Sequence, residues 1–141
     1  MSGIFKAMQI SASGLTAERL RLDTISNNLA NINTTRTGKG GPYKRQSVVF
    51  AERLERAKGP KRYQVAGVKV AKIVEDQGEA RKVYEPNHPD AGADGYVHYP
   101  NINIVNEMVD MITASRAYEA NVTAFNAAKT IALKALEIGR G

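Results

Sequence analysis

The last third of this 141-residue chain holds the feature that most constrains its fold: Ile104 to Ile138 contains neither proline nor glycine. At 1.5 Å per residue, about 35 helical residues extend for roughly 50 Å, more than a small single core can cover. An apolar stripe runs along the stretch through Ile104, Met108, Met111 and Ile112, then Tyr118, Val122, Phe125, Ala128 and Ala132, ending near Leu133, Leu136 and Ile138. Steps of three and four place such residues on one helical face. Asn103 supplies a side-chain acceptor to cap the start, and Glu107 and Asp110 suit the positive end of the helix dipole. Lys134 and Arg140 suit its other end, and Gly139 and Gly141 supply a stop.

A second helix is expected at the opposite end of the chain. Phe5, Met8, Ala12 and Leu15, then Leu22, Ile25, Leu29 and Ile32, again recur at three and four, with Met8, Leu15, Leu22 and Leu29 one heptad apart. Ser11, Ser13 and Gly14 weaken its early part by propensity. Residues 33–42, Asn-Thr-Thr-Arg-Thr-Gly-Lys-Gly-Gly-Pro, end it.

Between the helices the period changes from 3.6 towards 2. Gln46 to Phe50, Val65 to Val74 and Arg81 to Tyr84 are short β-branched runs, and Val68 to Ile73 is the clearest strand. Gly59-Pro60, Gln77-Gly78, Pro86, Pro89 and Asp94-Gly95 mark turns. The expected fold is therefore mainly α with a small β insert. Residues 1–38 and 101–141 would form a discontinuous terminal-helix domain, the two helices pairing as a coiled-coil-like layer. Residues 39–100 would form a small antiparallel insert of two to four strands, marginal as an independent core.

Composition removes most chemistry. The chain has no cysteine, which excludes disulfides, thiolate metal sites and cysteine nucleophiles, and only two histidines, His88 and His98. Those two lie among turn residues, with no spacing that gathers three ligands, so no metal or cofactor is expected. Gly38-Lys39-Gly40-Gly41 lacks the spacing of a phosphate loop and follows a helix rather than a strand. No serine sits in a nucleophile-elbow motif. The longest apolar run, Val48 to Ala51, is too short to cross a membrane, and Met1 to Leu15 lacks the solid apolar stretch of a secretory signal.

Charge leaves one alternative open. Twenty Lys and Arg against fourteen Asp and Glu give a net charge of +6, concentrated in residues 39–100, where twelve basic and eight acidic residues alternate. Such alternation describes a solvated face more often than a phosphate-binding stripe. Tyr43, Tyr63 and Tyr84 beside basic residues nevertheless keep a nucleic-acid-binding module as the alternative function.

Asn27, Asn28, Asn31 and Asn33 are costly in a helix unless their amides are used. Two uses are open: capping of a frayed helix end, or a polar patch that fixes register between packed helices, as a buried Asn does in coiled coils.

These asparagines also belong to a recognisable signature. Ala12-Ser13-Gly14-Leu15-Thr16-Ala17, followed by Ser26-Asn27-Asn28-Leu29-Ala30-Asn31-Ile32-Asn33-Thr34-Thr35, resembles the amino-terminal signature of bacterial flagellar rod and hook proteins. Asn101-Ile102-Asn103, Glu107 to Met111 and Ala114-Ser115-Arg116-Ala117-Tyr118-Glu119-Ala120-Asn121-Val122 resemble the matching carboxy-terminal one. The short length, with the runs 40–46, 83–91 and 95–103, is most similar to the proximal rod type, whose longer relatives insert larger central domains. Thr35 to Lys39 departs from the hook-type pattern.

The resemblance implies a structural, non-catalytic subunit of the flagellar basal-body rod, polymerising through its terminal helices into the shaft that transmits torque. It implies copies of itself, neighbouring rod proteins, the type III export apparatus and surrounding basal-body rings as partners, without nucleic acid or membrane insertion. It also implies residence in the periplasm-spanning rod after export without a cleaved signal. Leu15, Leu22, Leu29, Ile32, Met108, Ile112, Tyr118, Val122 and Phe125 are the residues expected to pack subunits together. Asn27, Asn28, Asn31 and Asn121 are expected to set register.

Overall fold

Two helices, α1 (Ser2–Ala30) and α2 (Ile104–Arg140), flank four strands, β1 (Gln46–Arg56), β2 (Tyr63–Glu75), β3 (Arg81–Tyr84) and β4 (Tyr96–Tyr99). The computed structural model describes residues 2–56, 59 and 63–141. The mainly helical architecture with a small β part is the one expected. The strands, however, form two separate two-stranded antiparallel sheets, β1–β2 and β3–β4.

The helix boundaries follow from local chemistry. Asn103 caps α2 through its side-chain oxygen, which accepts from the backbone N–H groups of Val105 at 3.0 Å and Asn106 at 3.2 Å. The helix runs on through Gly139 to Arg140 and reaches its C-cap at Gly141, the second of the two glycines expected to stop it. Helix α1 is continuous from Ser2 through Ser11, Ser13 and Gly14, against the expected weakness there. It ends at Ala30 rather than Ile32, in a turn where Asn31 N–H reaches back to the carbonyl of Asn27.

The helices pack antiparallel in a heptad-like register. Gly14 lies against Asn121 and Asn28 against Glu107; each pair of positions on one helix is two heptads apart. The inward line of α2 is Glu107, Met111, Ala114, Tyr118, Asn121, Phe125, Ala128, Ala132 and Ala135, alternating steps of four and three, and every member is buried or half-buried. The expected stripe therefore needs correction at both ends: Ile104, Met108 and Ile112, and again Leu133, Leu136 and Ile138, are exposed and do not belong to this line. A pattern of threes and fours admits two adjacent faces, and the one that meets α1 mixes four alanines with Met111, Tyr118 and Phe125.

Among the described helices and strands α2 packs on α1 alone, whereas α1 also carries the β1–β2 hairpin along another face. At the hairpin, Gly67 takes a positive φ of 122°, and a Cβ there would fall 2.2 Å from the Ser13 hydroxyl oxygen. That hydroxyl donates to the carbonyl of Ile10 at 2.6 Å and accepts the Val68 N–H at 3.1 Å. Ser13 and Gly14, poor residues for an isolated helix, are thus the adjacent points where α1 meets the hairpin and α2.

Strand β1 extends to Arg56, six residues beyond the expected Phe50, with Glu52 to Arg56 exposed as a solvated run should be. The register runs from Gln46 opposite Glu75 to Arg56 opposite Tyr63, with irregularities at Val49/Phe50 and Glu52/Leu54. The turn expected at Gly59-Pro60 has only Gly59 inside the described residues. The β3–β4 hairpin is pinned beside the end of α1: Thr35 donates to Asp90 at 2.7 Å, and Arg36 lies 3.4 Å from the same carboxylate.

Candidate assembly interface

The core of this chain is built from its small residues. Among the described residues eight hydrophobic side chains besides Pro100 are buried, and five are alanines: Ala17, Ala66, Ala114, Ala128 and Ala132; the others are Ile25, Val97 and Ile102. The large apolar side chains are outside. Nine of those on α2 are exposed, in two groups: Ile104, Val105, Met108, Val109 and Ile112 near its start, and Ile131, Leu133, Leu136 and Ile138 near its end. Val105, Met108, Val109 and Ile112 stand at i, i+3, i+4 and i+7, so they form one face. Each such side chain contributes about 1.5–3 kcal/mol when fully buried. A helix face of this size left in water is the signature of an interaction surface.

The expected packing residues fall in two sets. Met108 and Ile112 are exposed on that outer face. Leu15, Leu22, Leu29, Ile32, Tyr118, Val122 and Phe125 are half-buried, Tyr118 and Phe125 on the inward line of α2. None of the nine is fully buried within the chain.

The four asparagines separate by role. Asn28 is wholly buried. Its amide N–H donates to the carbonyl of Gln46 at 2.7 Å and to Glu107 Oε2 at 3.3 Å. Its oxygen accepts the Gln46 N–H at 2.9 Å and the Tyr43 hydroxyl at 2.8 Å. One side chain thus pairs both backbone groups of the first β1 residue, as a neighbouring strand would, and reaches α2 as well. Asn31 serves the helix end, donating to the Asn27 carbonyl at 2.9 Å and accepting from Thr34 at 3.1 Å. Asn27 is exposed and donates to the Tyr43 hydroxyl at 3.4 Å. Asn121 folds back on its own helix, donating to the carbonyl of Ala117 at 2.9 Å, with its amide over Gly14. Asn31 thus bonds locally at the helix end, whereas Asn28 bonds across to β1 and α2.

Glu107 and Arg45 complete this junction; the sequence marked Glu107 only as an acid in the opening turns of the helix and did not mark Arg45. The Glu107 side chain is 1% exposed; Arg45 Nε donates to its carboxylate, and the same guanidinium lies 3.5 Å from Asp110. A carboxylate buried without such a partner would be strongly unfavourable. Its position was legible in principle, since Glu107 opens the heptad line of α2, where a charge requires a reason. Burial raises the Tyr43 hydroxyl above its ordinary value of 10.0, and the nearby Glu107 carboxylate adds to the effect.

One acid on α1 is less well served. Glu18 Oε2 is buried without a hydrogen bond, with Arg21 3.7 Å away, and burial raises its carboxyl above the ordinary 4.5. His88 and His98 do not converge. The His88 ring packs edge-on against Tyr99 and its Nδ1 accepts the Asp90 N–H, while His98 stands opposite Lys82 in the β3–β4 ladder. Among the described residues no group of three potential metal ligands occurs, and no helix is long and apolar enough to cross a membrane.

A long antiparallel helix pair with an alanine-rich seam and an apolar exterior defines a structural subunit made for assembly. Comparison with known proteins specifies which. Residues 8–36 match the family model described as "Flagella basal body rod protein", and residues 93–138 match "Flagellar basal body rod FlgEFG protein C-terminal". The chain is 46% identical to the flagellar basal-body rod protein FlgC of Borreliella burgdorferi, the alignment covering 99% of each. It is 45% identical to FlgC of Bacillus subtilis over 96% of this chain and 98% of that one. With FlgC of Salmonella typhimurium it shares 39% over 97% and 98%. The chain belongs to the FlgC family of flagellar basal-body rod proteins, a structural and non-catalytic family.

Proposed function

We propose that this subunit polymerises through its terminal helices into the proximal part of the flagellar rod, the shaft that transmits torque. The observation that supports this reading best is the distribution of apolar side chains on α2: its fully buried apolar residues are alanines, while nine Ile, Val, Leu and Met side chains are exposed. Small residues let the two helices approach closely, and the larger ones remain available to neighbouring subunits. Long axial helices with shared apolar contact also suit a shaft that resists twisting. Neither an active site nor a cofactor has a part in this reading.

Leu15, Leu22, Leu29, Ile32, Met108, Ile112, Tyr118, Val122 and Phe125 pack subunits together, and Asn27, Asn28, Asn31 and Asn121 hold the register of the helices that do so. The terminal helices, residues 1–38 and 101–141, form the rod core, and residues 39–100 lie outside it towards neighbouring rod proteins or the basal-body rings. The subunit reaches the periplasm-spanning rod through the flagellar type III export apparatus. Leu29→Asp and Val122→Asp test the reading in a motility assay with electron microscopy of isolated basal bodies. We expect normal expression with loss of rods and of motility; motile cells with intact rods carrying both changes would refute it.

A further inference from the structure

The connection between β3 and β4 carries a histidine that neither the rod reading nor the helix packing uses. Nδ1 of His88 accepts the backbone N–H of Asp90 at 3.0 Å. A backbone N–H can only donate, so this bond exists only while the ring is neutral with its proton on Nε2. Pro89 has no N–H, which makes the Asp90 amide the first donor after His88. The His88 N–H donates to the Glu85 carbonyl and the Ala91 N–H to the His88 carbonyl, each at 3.0 Å, so the turn closes around the ring.

Asp90 is also where this hairpin is tied to the chain around it. Among the described helices and strands, β3 and β4 contact only each other. The Thr35 hydroxyl at 2.7 Å and the Arg36 guanidinium at 3.4 Å, both on the Asp90 carboxylate, join residues 81–99 to the segment that follows α1. Val97, wholly buried, is the hairpin's apolar anchor. The His88 ring thus holds the backbone of the residue whose carboxylate the neighbouring segment grips.

An Asn or Asp side chain makes the same bond to the amide two residues on. Imidazole differs in one respect: between about pH 8 and pH 5 it takes up a proton, and its acceptor becomes a donor. Two donors would then face each other at Nδ1 and the Asp90 nitrogen. The charged groups around the ring do not reverse this. Glu85 already accepts the Tyr99 hydroxyl at 3.0 Å, and Asp90 is shared by Thr35 and Arg36. Arg81 lies 5.1 Å over the ring of Tyr99, the same ring against which His88 packs. Lys82 and His98 pair with each other one position along the ladder, on its opposite face. Arg36 and Arg81 therefore add to the cost of a further positive charge.

We propose that His88 is a proton-operated latch: protonation of its imidazole opens the turn 88–91 and loosens the hold of Thr35 and Arg36 on Asp90, while the β3–β4 ladder stays formed. The latch is closed on the alkaline side of the imidazole titration and is released as pH falls through it. It does not depend on how the helices assemble.

Amide hydrogen exchange by NMR on the full-length purified chain tests it, at about pH 8 and about pH 5.5, above the range in which carboxylates ordinarily titrate. We expect the protection of the Asp90 amide, relative to its intrinsic rate at each pH, to fall about fivefold at the lower pH. The backbone shifts of Thr35 should follow the imidazole titration, and the ladder amides of β3 and β4 should keep their protection. His88→Asn places an amide oxygen where Nδ1 stands and does not titrate, so it should hold the Asp90 amide equally at both pH values. Equal protection of the natural chain at the two pH values overturns the proposal. So does the same pH-dependent loss in His88→Asn, which would put the responsible proton elsewhere, and so do Thr35 shifts that ignore the titration. Each of these results leaves the helix-mediated rod reading standing, because that reading depends on Leu29 and Val122.

Discussion

A Cβ atom on Gly14 would lie 2.7 Å from the side-chain oxygen of Asn121 and 2.8 Å from its nitrogen. The two helices meet there at a distance only glycine permits, and the amide that fills the gap is held by the Ala117 carbonyl. This contact and the Asn28–Glu107 pair two heptads away both bridge α1 and α2.

Gly14→Ala is expected to destabilise the monomer, because the Asn121 amide must leave its place. In an Asn121→Ala background the same change should stabilise, by up to about 1 kcal/mol, since alanine is the better helix former. Urea denaturation of the four chains measures the coupling. Equal effects of Gly14→Ala in both backgrounds would show that the close approach does not exist.

At the buried junction the order of two substitutions is the informative quantity. Arg45→Ala leaves the Glu107 carboxylate enclosed without its cation and should cost about 3–5 kcal/mol. Glu107→Gln keeps the hydrogen-bonding shape and frees a half-buried guanidinium to meet water, so it should cost less. Denaturation midpoints at neutral pH give the order directly, and the reverse order would contradict the assignment of Glu107 as the buried partner.

Two acids give the fold a pH dependence of predictable sign. The Glu18 carboxyl is raised above 4.5 by burial, so its contribution is present below pH 4.5 and is lost as pH rises through its folded value. Glu18→Gln should therefore be more stable than the natural chain at neutral pH, with the difference closing below pH 4.5. The Tyr43 hydroxyl is raised above 10.0, so its contribution is present below pH 10.0 and is lost as pH rises beyond it. Thermal melts across the two ranges, with Tyr43→Phe as control for the alkaline one, read both.

Much of this fold was legible in residue periodicity. The proline-free stretch predicted α2, Asn103 its start, and the change of period the strands between the helices. What periodicity missed has one physical cause: pattern gives a set of helical faces, not the partner each face meets. Met108 and Ile112 fit a stripe as well as Met111 and Ala114 do, and only packing decides that the side of Met111 and Ala114 turns inward. Ser13 and Gly14 read as helix weakeners because propensity describes an isolated helix, whereas their small size serves contacts with Gly67 and Asn121. Arg45 and Glu107 lie 62 positions apart, and no local pattern links them. Within the asparagine cluster, composition showed that the amides must be used but not which backbone groups receive them.

On the proposed reading the inward line of α2 builds the monomer and its outer apolar face builds the assembly. Ala114→Asp and Ile112→Asp, two residues apart on one helix, test it most directly: Ala114 is fully buried and Ile112 is 55% exposed. Circular dichroism melts of each purified chain, set beside cryo-electron microscopy of basal bodies from cells carrying it, give both readouts. Ala114→Asp is expected to unfold the chain, whereas Ile112→Asp should melt as the natural chain does yet be missing from the rod. Rods of normal occupancy built from the Ile112→Asp chain would contradict the reading.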